Sequence, residues 1–151
     1  MMMLKSQSSG GGRIRAARAS QDDQQLKTFT RWWDSHLAPR GHGPVVDLLV
    51  QIRTGVLPMR LLEALDHLED GALLSLRAKT NMQVQRIENL NFFFQALKER
   101  KIKTENIGSE DLERGDKTPV LGLTWTLILR YEMSLHISVG TSGGNGGISS
   151  P

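Results

Sequence analysis

Thr118-Pro119-Val120-Leu121-Gly122-Leu123-Thr124-Trp125-Thr126-Leu127-Ile128-Leu129-Arg130-Tyr131 is the stretch on which the fold turns. Thr118 suits a helix N-cap, and Pro119 suits the first helical position, where a missing N–H costs nothing. Projected at about 100° per residue, Val120, Leu121, Leu123, Trp125, Leu127, Ile128 and Tyr131 cover most of the circumference. The strip left outside is narrow and itself rather apolar: Gly122, Thr126, Leu129, Arg130 and Met133. A helix that is apolar on nearly all sides belongs at the centre of a bundle.

Working outward, the periodicity stays helical, and no run of alternating β-branched residues competes with it. The chain is expected to be all-α. A first helix is predicted from about Gln24 to Leu37, with Phe29, Trp32, Trp33 and His36 on one side and Lys27, Thr28, Arg31 and Ser35 pointing away. Pro39, Gly41, Gly43 and Pro44 end it in a loop. From Val45 to Leu68, Arg53-Thr54-Gly55 and Pro58 break the apolar run into a short helix, a turn and a second helix carrying Leu61, Leu62 and Leu65. Residues 69–81 read as mostly loop, held down by Leu73, Leu74 and Leu76. Next comes an amphipathic helix over Met82 to Lys101, with Ile87, Leu90, Phe94 and Leu97 inward. Ser109 is then expected to cap a one-turn helix that Gly115 stops. Trp32, Trp125, Phe94 and Leu127 are taken as core, since aromatic stripes at helical spacing usually pack.

The 151 residues are about one domain's length, and 38% hydrophobic with 23% charged residues reads as soluble and globular. The net charge of +3 sits in the leader. Lys5, Arg13, Arg15 and Arg18 face no acid in the first twenty residues, whereas the remainder holds fifteen basic against sixteen acidic residues. Eight of the fifteen glycines lie within twelve residues of either end, so residues 1–23 and 136–151 are expected to be disordered, the first basic and the second Gly/Ser-rich. No apolar h-region marks a secretory signal, and no run of about eighteen apolar residues marks a transmembrane segment. A cytoplasmic setting is expected.

Chemistry is sparse. The chain has no cysteine, and His36, His42, His67 and His136 are scattered without a second ligand at metal spacing. Gly41-His42-Gly43 lacks the Gly-Lys-Ser/Thr of a phosphate loop. No nucleophile has a base, so no catalytic residue, metal or cofactor is expected. Lys98, Arg100, Lys101 and Lys103 invite a nucleic-acid reading, but Glu99 and Glu105 flank them and no exposed aromatics interleave. Specific nucleic-acid binding is not expected.

Four blocks in order carry a resemblance. Gln25-Leu26-Lys27-Thr28-Phe29-Thr30-Arg31-Trp32 with Ser35-His36-Leu37 is the first, and Ile52-Arg53-Thr54-Gly55 with Leu61-Leu62-Glu63-Ala64-Leu65 the second. Glu88-Asn89-Leu90-Asn91 with Leu97-Lys98-Glu99, then Glu105 to Leu112 with Leu121 to Arg130, complete them. Over residues 24–135 the chain resembles a calponin homology domain, most closely the first such domain of the actin-binding regions of β-spectrin, α-actinin and plakins. The resemblance implies four main helices with short connecting helices, and a cytoskeletal protein that binds filamentous actin. In that family the first helix, and the last helix with the segment before it, contact actin. Carried over position by position, this points to Lys27, Thr28 and Arg31, to Lys101, Lys103 and Lys117, and to Thr126, Arg130 and Met133. The alternative is a solitary calponin homology domain that serves as a protein-interaction adaptor without actin affinity.

There are departures from the pattern. The family's Asp-Gly turn is Thr54-Gly55, its small branched residue after the first tryptophan is Trp33, and Pro58 enters a segment that is usually continuous helix. Phe93 stands where the family is small and Ala96 where it is large, a compensating exchange of volume in one core layer. Tandem family members continue into a second calponin homology domain, whereas the Gly/Ser-rich end follows here, so such a domain in trans, or self-association, is a further expected partner.

Overall fold

The last main helix, α6 (Lys117–Ile128), is the strut against which the others lean, with Val120, Leu121, Leu123, Thr124 and Leu127 all buried. The computed structural model describes residues 2–73 and 76–133, with side chains from residue 20 onward. Along the chain come α1 (Met2–Leu37), a 3₁₀ turn at Ala38–Arg40, α2 (Leu48–Gln51), a 3₁₀ turn at Ile52–Thr54 and α3 (Val56–Leu65). Then follow α4 (Gln83–Glu99), α5 (Ser109–Arg114), α6 and a π-helical turn at Leu129–Met133. The expected all-α architecture of four main helices, α1, α3, α4 and α6, is present, and no strand occurs among the described residues.

Sequence accounts for most of these elements. Phe29, Trp33 and Leu37 fall at i, i+4 and i+8 and are buried together on α1. The Trp33 indole N–H donates to the Thr124 hydroxyl at 2.9 Å, and Thr124 in turn donates to the Val120 carbonyl at 2.9 Å. Pro58 sits in the first turn of α3, where its absent donor is not needed. Gly55 adopts φ 81, and a Cβ there would lie 2.5 Å from Asn89 Cβ, so the turn before α3 can approach α4 only as glycine. Gly115 stops α5 in the left-handed conformation, as expected.

Buried polar side chains hold the irregular segments. Glu63, fully buried, accepts from the Gly71 N–H at 2.8 Å, the Leu73 N–H at 3.2 Å and Arg60 Nη1 at 2.8 Å. Asn89, also fully buried, accepts from the Arg77 N–H at 2.8 Å and donates to the Thr54 carbonyl at 3.0 Å. Residues 69–73 and 76–81 therefore need no helix of their own. Leu73 and Leu76 pack on the core as expected, while Leu74 lies outside the described residues.

Several expectations are corrected. The first helix begins at Met2 and not near Gln24. The end at 136–151 lies outside the described residues. Gly108, not Ser109, caps α5: its N–H donates to the Asp111 carboxylate at 2.9 Å, while the Ser109 hydroxyl donates to Asn91 Oδ1 at 2.5 Å. Asp116, not Thr118, precedes α6, because the Val120 N–H already bonds the Asp116 carbonyl at 3.2 Å.

The core stripes also shift. On α4 the buried residues are Asn89, Leu90, Phe93, Ala96 and Leu97, with Ile87 and Phe94 only half-buried. Trp32 is half-buried, since Trp33 takes the inward line with Phe29 and Leu37. Trp125 is 49% exposed; it lies over Phe29 with ring centroids 6.5 Å apart and planes 9° apart, and so covers the core from outside. Leu127 is buried as expected.

Phe93 and Ala96 both face the core, which fits the exchange of volume between them. Phe93→Ala should open a cavity and cost about 3 kcal/mol in a urea unfolding titration. A midpoint unchanged from the unaltered chain would contradict that packing.

Candidate functional site

The carried-over residues fall into three groups. On α1, Lys27, Thr28 and Arg31 are exposed, and the Thr28 hydroxyl is used up on the Gln24 carbonyl at 3.1 Å. Lys27 and Arg31 line a notch of about 320 Å³ together with Leu26, Thr30 and residues 45–48. Val46, 77% exposed, is among that lining. The segment there is held rigidly, because Asp34 accepts from the Val45 N–H at 2.7 Å and Gln51 accepts from the N–H groups of Val46 and Asp47 at 2.9 and 2.8 Å.

The second group surrounds a larger groove between the end of α4 and the start of α5, about 720 Å³, with Phe94, Ile102 and Ile107 among its lining. Lys98, Lys101 and Lys103 line it together with Glu105 and Glu110. Lys101 adopts φ 60 just past the end of α4, a position that glycine fills with less strain. Lys117, carried over with this group, is elsewhere: its ammonium pairs with Asp23 of α1 at 3.2 Å.

The third group is at the end of α6. Arg130 and Met133 are exposed in the π-helical turn, and Thr126 is half-buried with its hydroxyl on the Gly122 carbonyl at 3.0 Å. Trp125, Leu129 and Met133 follow at i, i+4 and i+8, each partly or largely exposed, and form an apolar ridge. The turn is pinned on two sides. Glu132 Oε2 accepts from Trp32 Nε1 at 3.3 Å and lies 3.4 Å from His36 Nε2. The Tyr131 hydroxyl donates to Asp66 Oδ1 at 2.8 Å, and Arg100 Nε donates to the same carboxylate at 2.5 Å.

These groups are not one patch. The notch, the groove and the cleft beside Trp125 share no lining residue. Phe29 faces Trp125, and Lys27 and Arg31 stand two residues to either side of it, roughly 200° around the helix. The α1 cations and the Trp125 ridge therefore lie on different flanks. Val46 and Lys98 join the notch and groove without having been expected there. Signals for both were on hand: Val45-Val46 is an apolar pair in a Pro-bounded loop, and Lys98 precedes Lys101 by one helical turn.

Charge pairing separates two kinds of basic residue. Arg53 and Arg86 bind Glu113, Arg60 binds Glu63 and Arg100 binds Asp66. Lys27, Arg31, Lys98, Lys101 and Lys103 make no ion pair among the described residues. No group of three His, Asp or Glu side chains among the described residues is placed to hold a metal ion. None of the described helices is long and apolar enough to cross a membrane.

The Tyr131 phenol is pushed up from the ordinary 10.0, first by burial and then by its hydrogen bond to the Asp66 carboxylate and that group's charge. Its folded value lies above its unfolded one, so the stability it contributes is fully present below pH 10.0 and is lost as pH rises beyond. Tyr131 is the chain's one tyrosine, which makes the test direct. Its ultraviolet phenolate signal should appear only as the domain unfolds in alkali. A titration near the ordinary value in the folded protein would show that the turn is not pinned.

Comparison with known proteins gives matches of two kinds. The family model for the calponin homology (CH) domain matches residues 23–133. The human protein "Spectrin beta chain, non-erythrocytic 4" is 38% identical over 123 residues, which is 82% of this chain and 5% of that protein. "Alpha-actinin-like protein 1" of Schizosaccharomyces pombe is 34% identical over 110 residues, 73% of this chain and 17% of its own length. "Microtubule-actin cross-linking factor 1" of Rattus norvegicus is 38% identical over 124 residues, 81% of this chain and 2% of its own. The chain thus spans a small fraction of each of these relatives.

Proposed function

The chain belongs to the calponin homology (CH) domain family, and from that premise we propose that it is a non-enzymatic, actin-filament-binding module of spectrin type, working in the cytoplasm as part of the cytoskeleton. One observation carries the reading. The basic residues at the positions implied by the family, Lys27, Arg31, Lys101 and Lys103, are exposed and without ion-pair partners among the described residues, while neighbouring arginines are spent on the domain's own carboxylates. Free cations on a rigid frame are suited to steering and orienting an encounter with an acidic surface such as actin's. The name of one relative, a microtubule-actin cross-linking factor, points the same way.

Apolar burial would come from Val46 beside the α1 cations and from the ridge of Trp125, Leu129 and Met133. That ridge is also the face open to a second calponin homology domain or a second copy of this chain. Lys117 is the weakest member of the set, because Asp23 already neutralises it. Thr28 and Thr126 offer methyl groups more than hydroxyls, since helix carbonyls hold both hydroxyls.

The whole chain should pellet with actin filaments at roughly tens of micromolar. Lys27→Glu/Arg31→Glu should weaken pelleting about tenfold or more, and Arg130→Glu should weaken it separately, since the two lie on different flanks. Circular dichroism checks that each variant is folded. No pelleting of the unaltered chain would reject the actin reading in favour of an adaptor without actin affinity.

A further inference from the structure

Residues 76–82 join the loop after α3 to α4 without helical structure of their own. Side chains tether them: Asn89 accepts from the Arg77 N–H at 2.8 Å, Gln85 Oε1 accepts from the Met82 N–H at 3.1 Å, and Arg86 Nη1 donates to the Thr80 carbonyl at 2.8 Å. Within this strap runs Arg77-Ala78-Lys79-Thr80, a hydroxyl preceded by an arginine three residues before and a lysine one before. We infer that Thr80 is a phosphorylation site for a basophilic serine/threonine kinase, and that its phosphate is received by Arg86 at the expense of Glu113.

Three features single Thr80 out. Thr28, Thr30, Thr124 and Thr126 commit their hydroxyls to helix carbonyls four residues back. The Thr80 hydroxyl makes no hydrogen bond among the described residues, and the residue is not fully buried. Its flanking backbone is irregular, as a kinase that threads its substrate through a cleft requires. Lys79 is unpaired among the described residues, and Arg77 pairs only with Glu88 at 2.9 Å, with the two side chains 57% and 40% exposed. Such an exposed pair contributes little and is readily given up. Thr104 also follows lysines in an irregular segment, but Glu105 comes next and no guanidinium sits on its backbone.

In the reaction the Thr80 Oγ attacks the γ-phosphorus of Mg·ATP. The new O–P bond forms as the bond to the bridging oxygen breaks, ADP leaves with that electron pair, and the hydroxyl proton passes to the kinase's base. The product carries close to two negative charges on a residue whose carbonyl already holds Arg86. That guanidinium also donates through Nε to Glu113 Oε2 at 2.9 Å, and Gln83 and Arg53 bind the same carboxylate at 3.3 and 3.4 Å. Burial opposes ionisation of Glu113, yet these hydrogen bonds outweigh it and hold its carboxyl below the usual range. Glu113 belongs to α5, whose Ser109 and Glu110 wall the lysine-lined groove. Drawing Arg86 toward Thr80 loosens α5, and with it that wall. The inference does not depend on actin binding.

The test uses the whole chain, Mg·ATP and the catalytic subunit of a kinase that selects arginine at the third position before its target. Tandem mass spectrometry should place the phosphate mainly on Thr80. Incorporation should vanish in Thr80→Ala and slow at least tenfold in Arg77→Gln. Amide hydrogen exchange over residues 109–115 should then be faster in the phosphorylated chain than in the unmodified one. Phosphate mainly on another residue, or none on the folded chain while a free peptide of residues 76–86 accepts it, overturns the site. Phosphate on Thr80 with unchanged exchange in α5 overturns the role given to Arg86.

Discussion

The Trp33 indole, fully buried between α1 and α6, fixes the geometry on which the rest of the molecule depends. An indole brings a large apolar area and one N–H that must find an acceptor once it is out of water. Thr124 supplies it at 2.9 Å from the most apolar helix of the chain, so burial and register are satisfied by one contact. Removing the acceptor while keeping the shape would strand a buried donor, at a cost of about 1–3 kcal/mol. With α1 set against α6, the Phe29–Trp125 stack lies beside that contact, and the Lys117–Asp23 pair follows toward the start of both helices. The His36 contact to Glu132, in the turn that follows α6, comes toward their ends. The two helices therefore run parallel, and the cations of α1 are carried outward on a rigid support.

Polar side chains do for the loops what this contact does for the helices. Glu63 and Asn89 are buried and bond segments with little regular structure of their own, while buried Glu113 ties α5 to Gln83 and Arg86 of α4 and to Arg53. A buried carboxylate is tolerated only when its bonds offset the loss of water. Here the bonds also determine where each loop lies. The notch and the groove are consequently shaped by hydrogen-bonded side chains, Gln51 and Asp34 for one and Asp111 and Asn91, itself in the lining, for the other.

Much of this was legible in the sequence. Apolar periodicity located all four main helices, and the glycine and proline punctuation located the turns around Gly41, Gly55 and Gly115. Helix starts were less legible: Ser109 and Thr118 are good caps in isolation, but the Ser109 hydroxyl bonds Asn91 while Asp111 closes onto Gly108, and the first bond of α6 already reaches back to Asp116. The tryptophans misled for a related reason. Two adjacent indoles cannot both face one core, and the choice of Trp33 over Trp32 rests on an acceptor ninety-one residues away in sequence. Trp125 looked like core because its helix is apolar all round, but the centre of the bundle takes only the Val120, Leu123 and Leu127 side. Nor does sequence reveal which cations are free. Lys117 and Lys103 look alike in the chain, and only the fold sets one against Asp23 and leaves the other in the groove lining.

Net charge explains none of the proposed function, since the balance outside the leader is close to neutral. What matters is which charges the fold has already neutralised and which it holds ready for a partner. Imaging actin filaments decorated with this chain by electron cryomicroscopy tests that claim most directly. The account predicts that the domain docks with Lys27 and Arg31 of α1 against the filament. Bare filaments at saturating protein, or docking through the opposite face with the α1 cations left in solvent, would contradict it.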